Sequence, residues 1–584
     1  LRVTLPQPLA PDGRVTLALA FVTKLASSEL SGRGGFFGDH FDGMQWFPKL
    51  AALRHGTFDA EPFHADTEFF ADFGTYDVTI SAPRDYLVEA TGVPLERRDN
   101  PDGSRSVTFR AEDVHDFAFI ADRNAVVARE LFSEGPYASH PVEILYVHQP
   151  YRRVMAPRIL AAVKEGLLYY GQRLMPYPYP RLVVDDLPMG LGGGMEYPML
   201  FTVSMAWFLP RFETAPEEVT LHEFGHQYWY GIVATNEFEE PWLDEGINSY
   251  VTRRAMDHLY GRPRPGRTVN ALFDYALTRI LDEGVEARLG PLALNLDQLL
   301  GFQDTPFRPV EGGFLGYPVS PFDLNRPGLA EGRFLSSKEG YAAVARDDAL
   351  ATPSWGFRPG SYVGIVYDKT DVVLETLARL LGPDRVDAAL AEYVRRYRFA
   401  HPTAREFLEV LAEEAARGGG RPEVAPLVQA LVYDTGTVDF AVESLRSRES
   451  APARGFIPAA RAGEAATDRR APPEPAGSAT RYETEVIVRR LGDLALPVDI
   501  LVRFENGEER RETWDGRSTW KRFTYETGAR ADRAIIDPGE VYALDLDRNN
   551  NSLTLDRRTR PVARLVLLWH FWIQNYLHLA AALS

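Results

Sequence analysis

The sequence predicts a multidomain α+β protein. It reads as an N-terminal β-sandwich, a mixed α/β and then helical middle, a second, smaller β-sandwich, and a C-terminal amphipathic helix. Three observations carry this. The chain has 584 residues, too many for one hydrophobic core, so three or so domains are expected. Apolar residues alternate with period two in the first quarter and again in the last quarter. Between these regions the pattern turns helical and is punctuated by helix-stop signals.

Residues 1–150 read as the first β domain. Val15, Leu17, Leu19 and Phe21 alternate with Thr16, Ala18 and Ala20, and Tyr76, Val78 and Ile80 alternate with Asp77, Thr79 and Ser81. Val107 and Phe109 follow an Asp102-Gly103 turn. Such runs divided by Gly and Pro turns predict a sandwich. The chain opens at Leu1 inside a strand-like segment. This predicts a truncated domain with an upstream part, a signal or an anchor, and favours an extracytoplasmic or membrane-associated location over a cytoplasmic one.

Residues 151–436 read as the central domain. Its elements are a helix over 154–173, a short strand over 182–185, and a helix over 215–230. Thr214 and Glu217 make a capping-box pattern for that last helix, with Pro216 in its first turn and Gly231 as its stop. A further helix runs from near Trp242 through Tyr250 to Tyr260 and is expected to pack antiparallel to it. Residues 302–360, rich in Gly, Pro and aromatics, read as an irregular cleft lining. A helix then carries Tyr367, Leu374, Leu377, Ala378 and Leu381 and stops at Gly382-Pro383.

Residues 437–556 return to β. Strands are expected at 438–444 and 482–490, separated by a mobile surface insertion over about 449–480, rich in Ala, Pro, Arg and Glu. Val498, Ile500, Val502 and Phe504 alternate before an Asn506-Gly507 hairpin turn. In the tail, 557–584, the polar residues Arg564, His570, Gln574, Asn575 and His578 fall in one arc of a helix. That predicts an amphipathic helix docked on the protein or making peripheral membrane contact, rather than a spanning one.

Composition narrows the chemistry. The net charge of −18 argues against nucleic acid as a partner, because phosphate contacts need clustered Lys and Arg. The absence of cysteine excludes disulfides, thiolate-bound zinc and thiol catalysis.

Residues 222–226 read His-Glu-Phe-Gly-His, and Glu245 lies in a Trp-Leu-Asp-Glu-Gly run. Two histidines one helical turn apart share a face and can hold one metal ion. Glu245 can supply a third ligand, which leaves the fourth position open, as catalytic zinc requires. Glu223 points one helical step away from the metal, where it can take a proton from the attacking water. One Zn2+ per chain is therefore expected, on His222, His226 and Glu245.

Eighteen residues separate His226 from Glu245, and with this spacing the chain resembles the aminopeptidase N and leukotriene hydrolase superfamily, the gluzincins. Gly193-Gly194-Met195-Glu196-Tyr197 resembles the family's Gly-x-Met-Glu-Asn motif, with Tyr197 where Asn is usual. Tyr367-Asp368-Lys369-Thr370 resembles its Tyr-Glu-Lys-Gly segment. Asp545-x-Asp547-x-Asn549-Asn550-Asn551 resembles a late Asp/Asn-rich run. The resemblance implies a saddle-shaped first domain, a thermolysin-like catalytic domain and a zinc metallopeptidase acting on peptides. It implies Tyr367 as oxyanion donor and Glu196 as the carboxylate that meets a free N-terminal ammonium. Gly193, Gly194 and Met195 would line the substrate. Tyr362 reads as a second cleft tyrosine. The leading function is an aminopeptidase. The alternatives are an endopeptidase or epoxide hydrolase on the same scaffold, and a non-catalytic scaffold protein.

Overall fold

The computed structural model describes residues 2–27, 34–261, 332–417, 424–450 and 480–556, except 55, 63, 65–66, 189–192, 208 and 210–213; residues 570 and 574 are also described. The expected insertion over 449–480 and the tail helix over 557–584 lie almost wholly outside these residues, as does the first part of the expected cleft lining, 302–331.

The first β region contains two antiparallel sheets and a hairpin. One sheet has the order β1 (Gly35–Phe37), β2 (His40–Gly43), β9 (Phe119–Asp122), β6 (Leu87–Ala90). The other places β8 (Ser104–Val114) between β5 (Gly74–Pro83) and β7 (Val93–Asp99). β3 (Ala52–Arg54) and β4 (Thr57–Asp59) form the hairpin. Val88 and Ala90 of the first sheet share a buried cluster with Val107 and Phe109 of the second, so the period-two faces meet across one core. The strand expected around 15–21 is not formed. Val15, Leu17, Leu19 and Phe21 stay about half exposed in extended chain, because alternation makes a strand only where a neighbouring backbone pairs with it.

The expected boundary at residue 150 cuts through a sheet. β10 (Val126–Phe132) and β11 (Val142–His148) belong to a five-stranded sheet ordered β10-β11-β12-β14-β13, with β12 (Arg181–Asp186), β13 (Gly194–Tyr197) and β14 (Leu200–Val203). β11, β12 and β14 run parallel; β10 and β13 are antiparallel edge strands. Alternation reports a strand but not the sheet it joins. The central strands are buried on both faces, as parallel strands covered by helices are.

The helices are α1 (Ala156–Arg173), α2 (Ala215–Gly225), α3 (Glu245–Leu259), α4 (Gly332–Val344), α5 (Thr370–Leu381), α6 (Pro383–Tyr397), α7 (Ala404–Ala416) and α8 (Val424–Tyr433). α4 lies in the stretch expected to be irregular. Its mid-helix Gly340 weakens the helical signal, and its stability comes from burying Phe334 and Tyr341. Among the described residues, no helix is long and apolar enough to cross a membrane.

The last β region holds two antiparallel sheets. One is β15 (Phe440–Glu449), β16 (Tyr482–Arg490) and β19 (Trp520–Thr527). The other has the order β18 (Glu509–Trp514), β17 (Val498–Phe504), β20 (Ala531–Ile536), β21 (Ser552–Thr554). Asn506-Gly507 joins β17 to β18, with Gly507 at φ 85°. The Asp/Asn-rich run folds on itself: Asp547 accepts from the Asn549 N–H, and Asn551 donates to Asp545.

Candidate active site

The helix carrying both histidines is shorter than expected and is capped differently. Thr214 makes no capping hydrogen bond. Glu217 instead forms a two-pronged ion pair with Arg158 of α1, at 2.6 and 2.7 Å, because a fixed guanidinium is a stronger partner than a backbone N–H. α2 ends at Gly225 and leaves His226 at its C-cap. The chain then turns back through Tyr230, at φ 74°, so that the Gly231 N–H reaches the His226 carbonyl at 2.9 Å.

Gly225 sets the approach of the next helix. A Cβ there would lie 1.9 Å from Asn248 Oδ1. Without it, α3 comes close enough for Asn248 Nδ2 to donate to the His222 carbonyl at 2.8 Å. α3 packs against α2. Its first residue, Glu245, lies against both imidazoles.

Three donor atoms converge. His222 Nε2 is 3.1 Å from Glu245 Oε2, His226 Nε2 is 3.2 Å from the same oxygen, and the two ring nitrogens are 3.2 Å apart. A tetrahedral ion with bonds of about 2.0–2.2 Å separates its ligands by roughly 3.3–3.6 Å, so this triangle has nearly the right edge for zinc. Two imidazole nitrogens at such a distance share at most one proton, and a divalent cation satisfies all three lone pairs at once. Burial raises the Glu245 pKa, but the neighbouring His226 and His222 outweigh it and hold the carboxyl well below the usual range. The donor set and its charge therefore fit zinc.

Sequence reasoning missed Asp244, although it stands beside Glu245 in the motif. Its Oδ1 lies 2.7 Å from His226 Nδ1. It is fully buried, and it fixes Nδ1 as the donor so that the Nε2 lone pair faces the metal position. Asp244→Asn is expected to weaken metal affinity about 10–100-fold, as measured by competition against a chelator of known affinity.

Tyr367 lies on a single π-turn, Gly364–Lys369, that leads into α5. Such turns displace one side chain from the α-helical register. Its hydroxyl donates to Glu245 Oε1 at 2.5 Å. Burial, reinforced by the Glu245 charge, raises its pKa well above the usual phenol value, so it remains a donor. The turn is anchored on both sides. Lys369 Nζ donates to the Asp434 carbonyl at 3.2 Å, and Arg253 of α3 grips Asp371 at 2.8 and 2.9 Å and Glu375 at 2.8 Å. Tyr362 packs 6.3 Å from the Tyr367 ring, and its hydroxyl is buried without a hydrogen-bond partner among the described residues.

Glu223 lies one helical step round α2 from His222, with a carboxylate oxygen within 4.8 Å of a His226 nitrogen. It is buried, with Oε2 unpartnered, and burial pushes its carboxyl up to about 7. A Cβ on Gly194 would lie 2.5 Å from Glu223 Cγ, so glycine at 194 leaves room for this side chain. Met195 is buried beneath the sheet, and Gly193, at φ 81°, bends the chain into β13. Tyr197 packs its ring on Phe69 at 6.0 Å. Gln227, just past the histidines, clamps this segment by donating to the Tyr197 carbonyl and accepting from the Met199 N–H.

Glu196 is 6% exposed, and its Oε1 has no hydrogen-bond partner among the described residues. Oxygens of Glu196 and Glu223 and a nitrogen of His226 lie within 4.8 Å of one another. Burial, then nearby Glu68, Glu245 and Asp244, hold the Glu196 pKa well above the usual carboxylate range against the pull of His226. Glu68 and Glu237 are two further acidic residues of this pocket that the sequence did not flag. Glu237 accepts from the Phe69 N–H at 2.5 Å and so holds the loop bearing Glu68.

Residues 160–286 match the peptidase family M1 domain. Aminopeptidase M1-B of Oryza sativa subsp. japonica is 25% identical over 262 residues, 44% of this chain and 23% of the relative. Over these segments the chain is similar to the aminopeptidase N superfamily. It spans about a quarter of the length of that curated relative. Two solved structures are also similar. Aminopeptidase A of Legionella pneumophila, in complex with aspartic acid, has a TM-score of 0.47 and 14% identity, over 81% of this chain and 44% of the other. The M1 zinc metallopeptidase of Deinococcus radiodurans has a TM-score of 0.41 and 15% identity, over 62% and 65%. The matched segment contains Glu196, Glu223 and the three convergent donors; Tyr367 lies beyond it.

Proposed function

We propose that this chain is a zinc-dependent aminopeptidase that removes N-terminal residues from peptides, with one zinc ion held by His222, His226 and Glu245. The observation that carries the reading is Glu196: a buried carboxylate with an unpartnered oxygen, beside the convergent triad, on the edge strand β13. A free ammonium loses its water on entering such a pocket and needs a buried anion to meet it. Glu68 and Glu237 place two more carboxyl groups around the same position.

The edge strand leaves a row of backbone groups for a peptide to pair with as an added strand. The same reading gives residues from 126 to 436 as a thermolysin-like catalytic unit, beside which the first β region walls off the cleft. When bound, the ion supplies Lewis-acid polarisation and a lowered pKa for water at its open position. Glu223 accepts the proton of the attacking water and passes it to the leaving nitrogen. Tyr367 donates a hydrogen bond to the oxygen that gains charge.

The test is a panel of aminoacyl amides, assayed with and without a chelator, alongside their N-acetylated forms. Cleavage of the free amines, lost with chelator and lost on acetylation, is the expected result. Equal cleavage of acetylated substrates would show an endopeptidase and remove Glu196 from the ammonium role. Chelator-insensitive cleavage would remove the metal from the reaction.

A further inference from the structure

A second polar cluster lies where the first β region meets the five-stranded sheet. His40 and Asp42 stand two residues apart on β2, and so on one face. His40 pairs across the sheet with Asp122 of β9. Asp185 reaches the cluster from β12. All four are buried, with exposures of 4%, 1%, 1% and 0%.

The hydrogen bonds orient the imidazole. Asp122 Oδ1 accepts from the N–H groups of Asn124 and Ala125, at 2.6 and 2.8 Å, and Oδ2 accepts from Gln149 Nε2 at 2.6 Å. His40 Nδ1 lies 2.8 Å from the same Oδ2. An acceptor held this firmly makes Nδ1 the protonated nitrogen and turns the Nε2 lone pair towards the other two carboxylates. Nε2 is 2.9 Å from Asp42 Oδ1 and 3.5 Å from Asp185 Oδ2. Yet Nε2, Asp42 Oδ1 and both oxygens of Asp185 have no hydrogen-bond partner among the described residues. Atoms this close but out of line for a hydrogen bond are arranged as ligands of a common centre are.

Charge leads to the same place. Asp186, on the opposite face of β12, is neutralised by Arg152 at 2.6 Å. At Asp185 three carboxylates surround one imidazole, an excess of negative charge that burial makes costly. The pattern repeats that of His226, whose Nδ1 is held by Asp244 while Nε2 faces the metal position.

We propose that His40 Nε2, Asp42 and Asp185 bind a second divalent cation, with Asp122 as the positioning residue for His40. One imidazole with two carboxylates suits zinc or manganese better than calcium, which takes oxygen alone. The ion would staple β2 to β12 and so lock the first β region onto the sheet that carries β13.

Metal content of the purified full chain after exhaustive dialysis against zinc- or manganese-containing and then metal-free buffer tests this. The wild type is expected to keep about two ions, and a His222→Ala/His226→Ala double variant about one. Asp185→Asn should also keep about one, and zinc or manganese should raise the Tm of the double variant but not after Asp185→Asn is added. If Asp185→Asn does not fold, Asp42→Asn is read in its place. A double variant that holds no metal would overturn the proposal and leave a proton shared between Asp42 and Asp185 as the occupant. An Asp185→Asn chain that still holds two ions would overturn it as well.

Discussion

Glu223→Gln is expected to lower kcat about a thousandfold or more while metal content stays at the wild-type level. The amide keeps the size of the carboxyl and fits the space that Gly194 leaves open, so the fold around α2 is preserved. It cannot accept a proton; Glu196 is grouped with Glu223 beside His226, and Asp244 is engaged by His226 Nδ1. Glu223 is not one of the three convergent donors, which is why the metal should remain. The measurements are kcat on an aminoacyl amide and metal content on the same preparation. Near-normal turnover would transfer the base role to another group. Lost metal would show that Glu223 supports the centre rather than the proton transfer.

Tyr367→Phe is expected to lower kcat about 10²–10³-fold with KM little changed, as loss of one donor to a developing oxyanion does. Its hydroxyl rests on Glu245 Oε1, so it is already at the triad and need move little to reach a substrate oxygen on the open side. Anchoring by Lys369 and Arg253 keeps the π-turn in place when the hydroxyl is removed. A variant with raised KM and unchanged kcat would make Tyr367 a binding residue. A variant with weakened metal affinity and normal kcat when saturated with zinc would confine its role to holding Glu245.

The metal triad was legible in the sequence because helical periodicity alone puts His222 and His226 on one face, and Glu245 opens the next α-helix. Tyr367, 122 residues from Glu245 in sequence, could be reached only through the family resemblance; nothing local distinguishes it from a core tyrosine. Glu68 and Glu237 were illegible because they sit in irregular chain, where no period marks a face. One helix end failed for a tertiary reason: Glu217 pairs with Arg158 rather than with its own N-cap. The strands were mostly visible as strands, Tyr76 to Ile80 and Val498 to Phe504 among them. Their partners were not, so β10 and β11 fell on the wrong side of a boundary, and the alternating residues from Val15 to Phe21 proved to have no sheet to join.

The most direct test of the account is a crystal of the zinc-loaded protein measured on both sides of the zinc absorption edge. The account predicts an anomalous peak about 2.0–2.2 Å from His222 Nε2, His226 Nε2 and a Glu245 carboxylate oxygen together. A well-ordered map from zinc-loaded, active protein with no peak among these three atoms would contradict it.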